Sequence, residues 1–202
     1  MTEDAITTLR ARAEVEIPKI KGSRFIGYAA PAADEGEARA LVEEVQALHP
    51  QARHLCWAYR GVDGIERSSD AGEPRGSAGP PILRKIEGAE LHHVAVVVVR
   101  YFGGTKLGVG GLIRAYGAAA GAALDAAPRE TAKVMARVEL RFPMARFGAV
   151  SGCLRAHGVN PKDPDFGPED VSLSVIVERA QAEPLRRALV DATAGDVVFD
   201  DE

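Results

Sequence analysis

The sequence predicts an α+β protein of two small domains. Its 202 residues fall between the usual lengths of one and two domains, and a composition of 46% hydrophobic and 27% charged residues is that of an ordinary globular protein. Patterns typical of strands and of helices occur together on both sides of a helix that ends at Pro128. We therefore place the domains at residues 1–130 and 131–202.

The first elements are predicted from the pattern of apolar side chains and from the residues that begin and end helices and strands. The start of the chain is polar and favours a helix, and residues 19–28 follow as a strand because aromatic and β-branched side chains suit a pleated surface. Asp34 can cap a helix whose apolar residues recur every three or four positions, and this helix ends before Pro50. Residues 54–60 and 65–67 then predict a hairpin around a glycine-containing turn.

The second half of this domain is organised around one apolar strand. Residues 68–81, SSDAGEPRGSAGPP, are so rich in turn residues that we expect a long surface loop, functional or mobile, followed by a short helix at 82–88. The unbroken β-branched run at 94–99 predicts a strand buried on both faces and central in its sheet. A glycine-rich connection leads from it to a helix at 112–127.

The remaining residues predict a ferredoxin-like domain. The patterns follow the order β-α-β-β-α-β, which is the split βαβ arrangement. The predicted elements are strand 134–142, helix 144–157, strands 159–166 and 171–178, helix 184–193 and strand 197–199.

Composition and charge exclude several classes of protein. The longest apolar run is stopped by Arg100, too early to span a bilayer, and the acidic start of the chain does not resemble a secretory signal. Two distant cysteines indicate a reducing compartment, so we expect a cytoplasmic protein without contact to a membrane. The net charge of −4 argues against indiscriminate nucleic-acid binding, but residues 53–114 hold 9 basic and 6 acidic residues, a local charge of plus three.

The stretch RYFGGTKLGVGGLIRAY, residues 100–116, is the most specific motif. Glycines before a helix N-terminus let backbone N–H groups approach an anion, and nearby cations add charge. The stretch contains no G-x-x-x-x-G-K-[ST] pattern, and it does not complete G-x-G-x-x-G because Ile113 stands where the last glycine belongs. The alternative interpretation is that the glycines serve only a tight strand-to-helix turn. The candidate polyanion-binding residues are Arg75, Lys85, Arg100, Gly103, Gly104, Lys106, Gly108, Gly110, Gly111 and Arg114.

The 68–81 loop also has two interpretations. Asp70 and Glu73 could coordinate a hard cation or act as acid and base. Only these two acids are available, and Arg75 is close by, so the alternative is a mobile surface loop that presents Arg75 to a partner. We predict no metal, no cofactor and no catalytic residue.

Other polar and aromatic residues admit similar alternatives. His54 and Cys56 share one face of a strand, which is compatible with a nucleophile and its base but more typical of a buried free cysteine. The adjacent residues at 92 and 93 are both histidines, yet neighbours on an extended chain point to opposite sides and do not predict a metal site. Tyr101 and Phe102 could stack on bases or belong to the core.

Three segments together resemble the IMPACT/YigZ family: HLCWAYR, SSDAGEPRGSAGPPIL and VVVVRYFGGTKLGVGGLIRAY. The resemblance runs from about residue 22 to residue 127, and the last domain resembles that of bacterial members. It implies a ribosomal protein S5 domain 2-like first domain and a second domain like the last domain of elongation factor G. Ala71 stands where the family usually has an acid, which weakens a metal role for the loop.

The resemblance also implies a role in translation. Eukaryotic IMPACT proteins, which this sequence is similar to, regulate translation under amino-acid starvation by competing for the activator of an initiation-factor kinase. We therefore expect a non-catalytic regulator or accessory factor of translation, with a stress-response role, that binds the ribosome, structured RNA or a translation-regulatory protein. The alternatives are a hydrolase or nucleotide-handling enzyme that uses Asp70 and Glu73, and a protein-only adaptor.

Overall fold

The computed structural model describes residues 4–200 and shows a mixed α+β protein with antiparallel sheets. Contacts divide the chain into two compact units. The larger unit comprises Ile6–Ala132, and the smaller unit comprises residues 133–200 together with residues 4 and 5. No helix in the described range is both long and apolar enough to cross a membrane.

The larger unit is built on a five-stranded sheet. Its strand order is β2-β3-β6-β4-β5, and a separate two-stranded sheet joins β1 to β7. The elements up to residue 133 are β1 (Ala5–Leu9), β2 (Ala13–Ile20), β3 (Ser23–Pro31), α1 (Glu35–Leu48), β4 (His54–Arg60), β5 (Glu66–Ser69), α2 (Gly79–Gly88), β6 (Val94–Tyr101), α3 (Val109–Ala126) and β7 (Arg129–Lys133).

Strand β6 lies at the centre of this sheet, as its β-branched run predicts. Val94, Val96 and Val98 pack under α2 and α3, whereas the alternate residues Val97 and Val99 pack under α1. All five side chains are fully buried, and burial of each contributes about 1.5–3 kcal/mol relative to exposure. Both faces of the sheet are therefore covered by helices, and β6 positions the glycine-rich connection that follows it.

The smaller unit contains a four-stranded antiparallel sheet in the order β11-β8-β10-β9. Helices α4 and α5 contribute Val150, Leu154, Leu185 and Leu189 to the core that covers the sheet. Its elements are β8 (Met135–Pro143), a 3₁₀ turn (Met144–Arg146), α4 (Phe147–Ala156), β9 (Lys162–Phe166), β10 (Asp170–Glu178), α5 (Arg179–Thr193) and β11 (Val198–Asp200).

Several element predictions were wrong. The described part of the polar chain start forms strands β1 and β2 rather than a helix, because residues 13–17 alternate between half-buried and exposed on an edge strand that tolerates Pro18. Strand β7 had no signal in its polar sequence. Helix α5 begins five residues before Pro184, which lies inside the helix rather than at its first position.

The boundaries of the glycine-rich segments also moved. Helix α2 begins at Gly79, within the segment for which we expected no regular structure, and β5 extends to Ser69. Helix α3 begins at Val109, three residues before the predicted start. The free glycine-rich connection is therefore shorter than expected, and Gly110 and Gly111 lie in the first turn of α3.

Candidate functional site

The 68–81 loop is organised by the carboxylate of Asp70. Its Oδ1 accepts hydrogen bonds from the backbone N–H groups of Ala78 and Gly79, each at 2.9 Å, and its Oδ2 accepts one from Gly76 at 2.7 Å. Burial alone would raise the pKa of Asp70, but these three hydrogen bonds outweigh it and lower the pKa below the ordinary value. Asp70 is therefore an ionised acceptor that caps the start of α2.

Glu73 points inward from the same loop. Its Oε1 accepts hydrogen bonds from Nη1 of Arg100 at 2.6 Å and from the hydroxyl of Tyr116 at 2.8 Å. The side chains of Glu73 and Arg100 are only 5% and 7% exposed, so this ion pair is buried. The contact joins three elements, since Arg100 lies at the end of β6 and Tyr116 lies in α3.

Cys56 and Tyr116 remain protonated beside this ion pair. The thiol of Cys56 donates to the carbonyl of Asp70 at 3.0 Å, and burial raises its pKa to about 12. Burial, followed by the neighbouring Cys56 and Glu73, raises the pKa of Tyr116 well above its ordinary value. Cys56 is a buried free cysteine, which confirms that interpretation over the nucleophile.

The histidines near the loop are held by backbone carbonyls. His54 Nδ1 donates to Ala71 at 2.9 Å, and His92 Nδ1 donates to Gly61 at 2.9 Å. Among the side chains that the structure describes, no group of three or more histidine, cysteine and acidic residues has the arrangement of a metal site. Asp70 and Glu73 are both engaged in structural contacts, so the geometry offers no support for the catalytic interpretation of the loop.

The glycines after β6 serve different purposes. A Cβ at Gly103 would overlap the backbone of Gly22 in the β2–β3 turn, so close packing requires this glycine. Gly104 and Gly108 have φ values of +87° and +72°, which other residues rarely adopt. Gly110 has neither constraint, because an added Cβ would meet only Nη1 of Arg114, at 3.7 Å. Gly111 has less space around it, because an added Cβ would lie 3.1 Å from the Cβ of Leu107.

Four of the predicted cations form an exposed set that we call the basic strip. Arg75, Lys85, Lys106 and Arg114 are all exposed. The stem of Lys85 runs along α3, since a Cβ at Gly117 would lie 3.5 Å from its Cε. Helix α3 begins with no acidic residue in its first turn and no side-chain cap. Its positive N-terminal end therefore adds to the charge of the strip.

Arg100 is placed differently from the rest of the predicted set. It is 6% exposed and already paired with Glu73, so it does not belong to the exposed strip. A sequence signal existed: Arg100 continues the alternation of Val94, Val96 and Val98 towards α2 and α3, and a buried arginine on that face needs an acid. Polyanion binding by the predicted residues stays a prediction.

A cavity of about 420 Å³ opens beside Arg100. Phe102, at 58% exposed, is neither core nor paired in the sheet, and Tyr101 is half-buried with its hydroxyl 2.8 Å from Nδ1 of His49. Sequence reasoning missed two exposed members, Gln51 and Arg53, because they lie before β4 in an unremarkable turn. The lining residues are Gln51, Arg53, His54, Arg100, Tyr101 and Phe102.

The fold and the site define the class of protein: an α+β chain of two compact units, whose larger unit carries a cationic glycine-rich connection beside a loop held by two acids. The family model described as the Impact N-terminal domain matches residues 21–124. The chain belongs to the IMPACT family, which confirms the resemblance found in the sequence.

Individual relatives agree with this assignment. An IMPACT family member of Thermus thermophilus is 44% identical over 179 residues, 87% of this chain and 96% of that protein. The IMPACT family member YigZ of Escherichia coli is 44% identical over 112 residues, 54% of this chain and 55% of YigZ. A crystal structure of a hypothetical protein matches 99% of this chain and 100% of its own, with a TM-score of 0.75 and 30% identity.

Proposed function

We propose that this protein is a non-catalytic accessory factor of translation that acts in the cytoplasm and binds ribosomal or other structured RNA through the basic strip. The observation that carries the proposal is the exposed connection from β6 to α3. From residue 102 to residue 110 every residue except Leu107 is exposed, Lys106 lies just before the uncapped start of α3, and Arg114 lies in the second turn of that helix. Such a surface suits phosphate oxygens, which accept hydrogen bonds from backbone N–H groups and cations.

The freedom at Gly110 supports the same proposal. Glycine is less favourable than alanine in a helix, by up to about 1 kcal/mol in a helix interior, and no packing contact requires a glycine at this position in the first turn of α3. Close approach of a phosphate to the backbone is a reason for a glycine at such a position.

The proposal includes a finer view of the two folds. We infer that the larger unit is S5 domain 2-like and that the smaller unit is ferredoxin-like, resembling the last domain of elongation factor G. The order β-α-β-β-α-β in the smaller unit and its sheet order β11-β8-β10-β9 support the second of these assignments, and the first rests on the family resemblance. Fold likeness alone does not establish function, so the proposal depends on the strip.

Co-sedimentation with ribosomal subunits and with structured RNA, over a salt titration, tests the proposal. The double variant Lys106→Ala/Arg114→Ala should bind more weakly at every salt concentration. The slope of log K against log salt should become shallower by about 1.4–1.8, since each of the two lost phosphate contacts removes about 0.7–0.9. The control is Arg155→Ala/Arg187→Ala, which removes the same charge from exposed positions of the smaller unit.

Two results would overturn the proposal. One is an absence of binding to subunits and RNA at low salt. The other is an equal loss of affinity in the control and the strip variant, which would mean that only net charge matters. Capture of a translation-regulatory protein that survives nuclease treatment would instead favour the protein-only adaptor.

A further inference from the structure

The cavity beside Arg100 combines one deeply buried cation with exposed polar groups. Arg100 is the most buried of its lining residues, at 6% exposed, while Gln51, Arg53 and Phe102 are exposed. Its volume of about 420 Å³ lies within the range of about 300–1,000 Å³ that is typical of small-molecule sites. These residues do not overlap the basic strip, so the cavity requires its own explanation.

The guanidinium of Arg100 has unused donor capacity. Nη1 is bonded to Glu73, whereas Nε is buried and has no hydrogen-bond partner among the described residues. A buried donor without a partner is unfavourable and uncommon in native structures, so it requires an explanation. Glu73 occupies Nη1 of this side chain, and Arg100 is also one of the residues that line the cavity.

The remaining lining groups select the kind of ligand. The guanidinium of Arg100 lies 5.5 Å from the ring centre of Phe102, a residue that is 58% exposed. A planar group can therefore stack on the exposed part of the ring. Arg53 supplies an exposed cation for an anionic group. His54 Nδ1 donates to Ala71, so Nε2 is the ring nitrogen that this contact leaves available for a hydrogen bond with a base edge.

We propose that this cavity binds a single nucleotide unit, with the base stacked on Phe102 and the phosphate held by Arg53 beside Arg100. A nucleotide joins in one molecule the three features that the lining residues complement: a planar aromatic ring, a hydrogen-bonding base edge and a phosphate. The same chemistry is offered by a free nucleotide and by an unpaired nucleotide of an RNA chain. The inference uses different side chains from the basic strip, and either can hold without the other.

Titration calorimetry on the full chain tests the proposal, with the four nucleoside 5′-monophosphates, ribose 5-phosphate and 5′-phosphorylated RNA tetranucleotides as probes. We expect saturable binding that is weakened about tenfold by Phe102→Leu, which keeps an apolar side chain but removes the ring, and restored by Phe102→Tyr. Arg53→Ala should weaken binding by a similar factor. The matched controls are Leu48→Ala and Arg10→Ala, at exposed positions that do not line the cavity.

The pattern among probes identifies the source of the nucleotide. Binding of monophosphates supports a free nucleotide, and binding of the tetranucleotides alone supports an unpaired residue of RNA. The proposal is wrong if no nucleotide or tetranucleotide binds saturably, if ribose 5-phosphate binds as tightly as the nucleotides, or if Arg53→Ala and Phe102→Leu leave affinity unchanged. Since these variants leave Lys106 and Arg114 intact, their failure says nothing against RNA binding by the strip.

Discussion

Replacing Glu73 by glutamine tests whether the buried ion pair holds the loop to the sheet. Glutamine keeps the shape of the side chain and can still accept a hydrogen bond, but it leaves the charge of Arg100, 7% exposed, without an anion. Removing one partner of a buried pair costs about 3–5 kcal/mol, and we expect the lower end because one hydrogen bond is retained. With a urea m-value of about 1–3 kcal/mol/M, the unfolding midpoint should fall by about 1–3 M.

The chain offers a specific probe for this measurement. Its single tryptophan, Trp57, lies in β4, so intrinsic fluorescence follows the larger unit. The control is Glu16→Gln, which breaks the Arg24–Glu16 contact of 2.8 Å between side chains that are 43% and 40% exposed. Screening by water should leave its midpoint almost unchanged.

A triple variant tests whether the destabilisation by Glu73→Gln comes from the unpaired charge of Arg100 or from lost packing. Replacing all three members, as Glu73→Leu/Arg100→Met/Tyr116→Phe, removes the buried charges together, so this protein should be less destabilised than Glu73→Gln. A Glu73→Gln midpoint within about 0.3 M of the unmodified protein would refute the reasoning, because the shift expected from a buried pair is several times larger.

Three further outcomes follow from the same region. Asp70→Asn should destabilise the protein above pH 4, and the difference should shrink as pH falls, because the stabilisation by a carboxylate of lowered pKa is lost as that group protonates. In the folded protein Cys56, with a pKa of about 12, should stay unmodified by a thiol reagent at pH 8 while the half-buried Cys153 reacts. Gly103→Ala should destabilise the larger unit, whereas Gly110→Ala should not, yet Gly110→Ala should weaken RNA binding.

Each of these outcomes has a direct check. Urea midpoints from pH 3 to pH 8 follow Asp70, and a constant difference over that range would contradict the lowered pKa. In the Cys153→Ser variant Cys56 is the remaining cysteine, so thiol titration of that variant reports on Cys56. Rapid reaction of the variant would contradict the burial of Cys56. Urea midpoints and RNA affinities are measured for both glycine variants. Equal effects of Gly103→Ala and Gly110→Ala on stability would contradict the difference in packing.

The β-branched run of β6 shows why some elements were predictable. Six consecutive apolar residues require cover on both faces, which indicated a central strand correctly. Such runs are typical of parallel sheets, but here the neighbours β3 and β4 are antiparallel, and the cover comes from α1 on one face and from α2 and α3 on the other. Burial is encoded in the run itself, whereas strand direction depends on connections elsewhere.

The two polar strands β2 and β7 were missed for different reasons. Strand β2 does carry a two-residue period, with apolar residues at 13, 15 and 17 and glutamates between them, and the prediction of a helix overlooked this signal, whereas β7 has no fully buried side chain at all. Their strand conformation comes from pairing with neighbours. The two loop acids were identified as special residues, but their partners are backbone N–H groups and residues 27 and 43 positions away, which no local pattern reveals.

The two acids determine what the loop can do. A carboxylate that acts as a general acid or base, or as a metal ligand, needs a free lone pair that faces the substrate or the metal. Asp70 instead accepts three backbone hydrogen bonds from residues 76, 78 and 79, and Glu73 accepts hydrogen bonds from side chains of β6 and α3. The same contacts fix the end of β6 and the helix that follows it, the two elements that bracket the glycine-rich connection. Because Glu73 stabilises the frame of that connection, variants of Glu73 should alter RNA binding through stability, while variants of Lys106 and Arg114 should alter it directly.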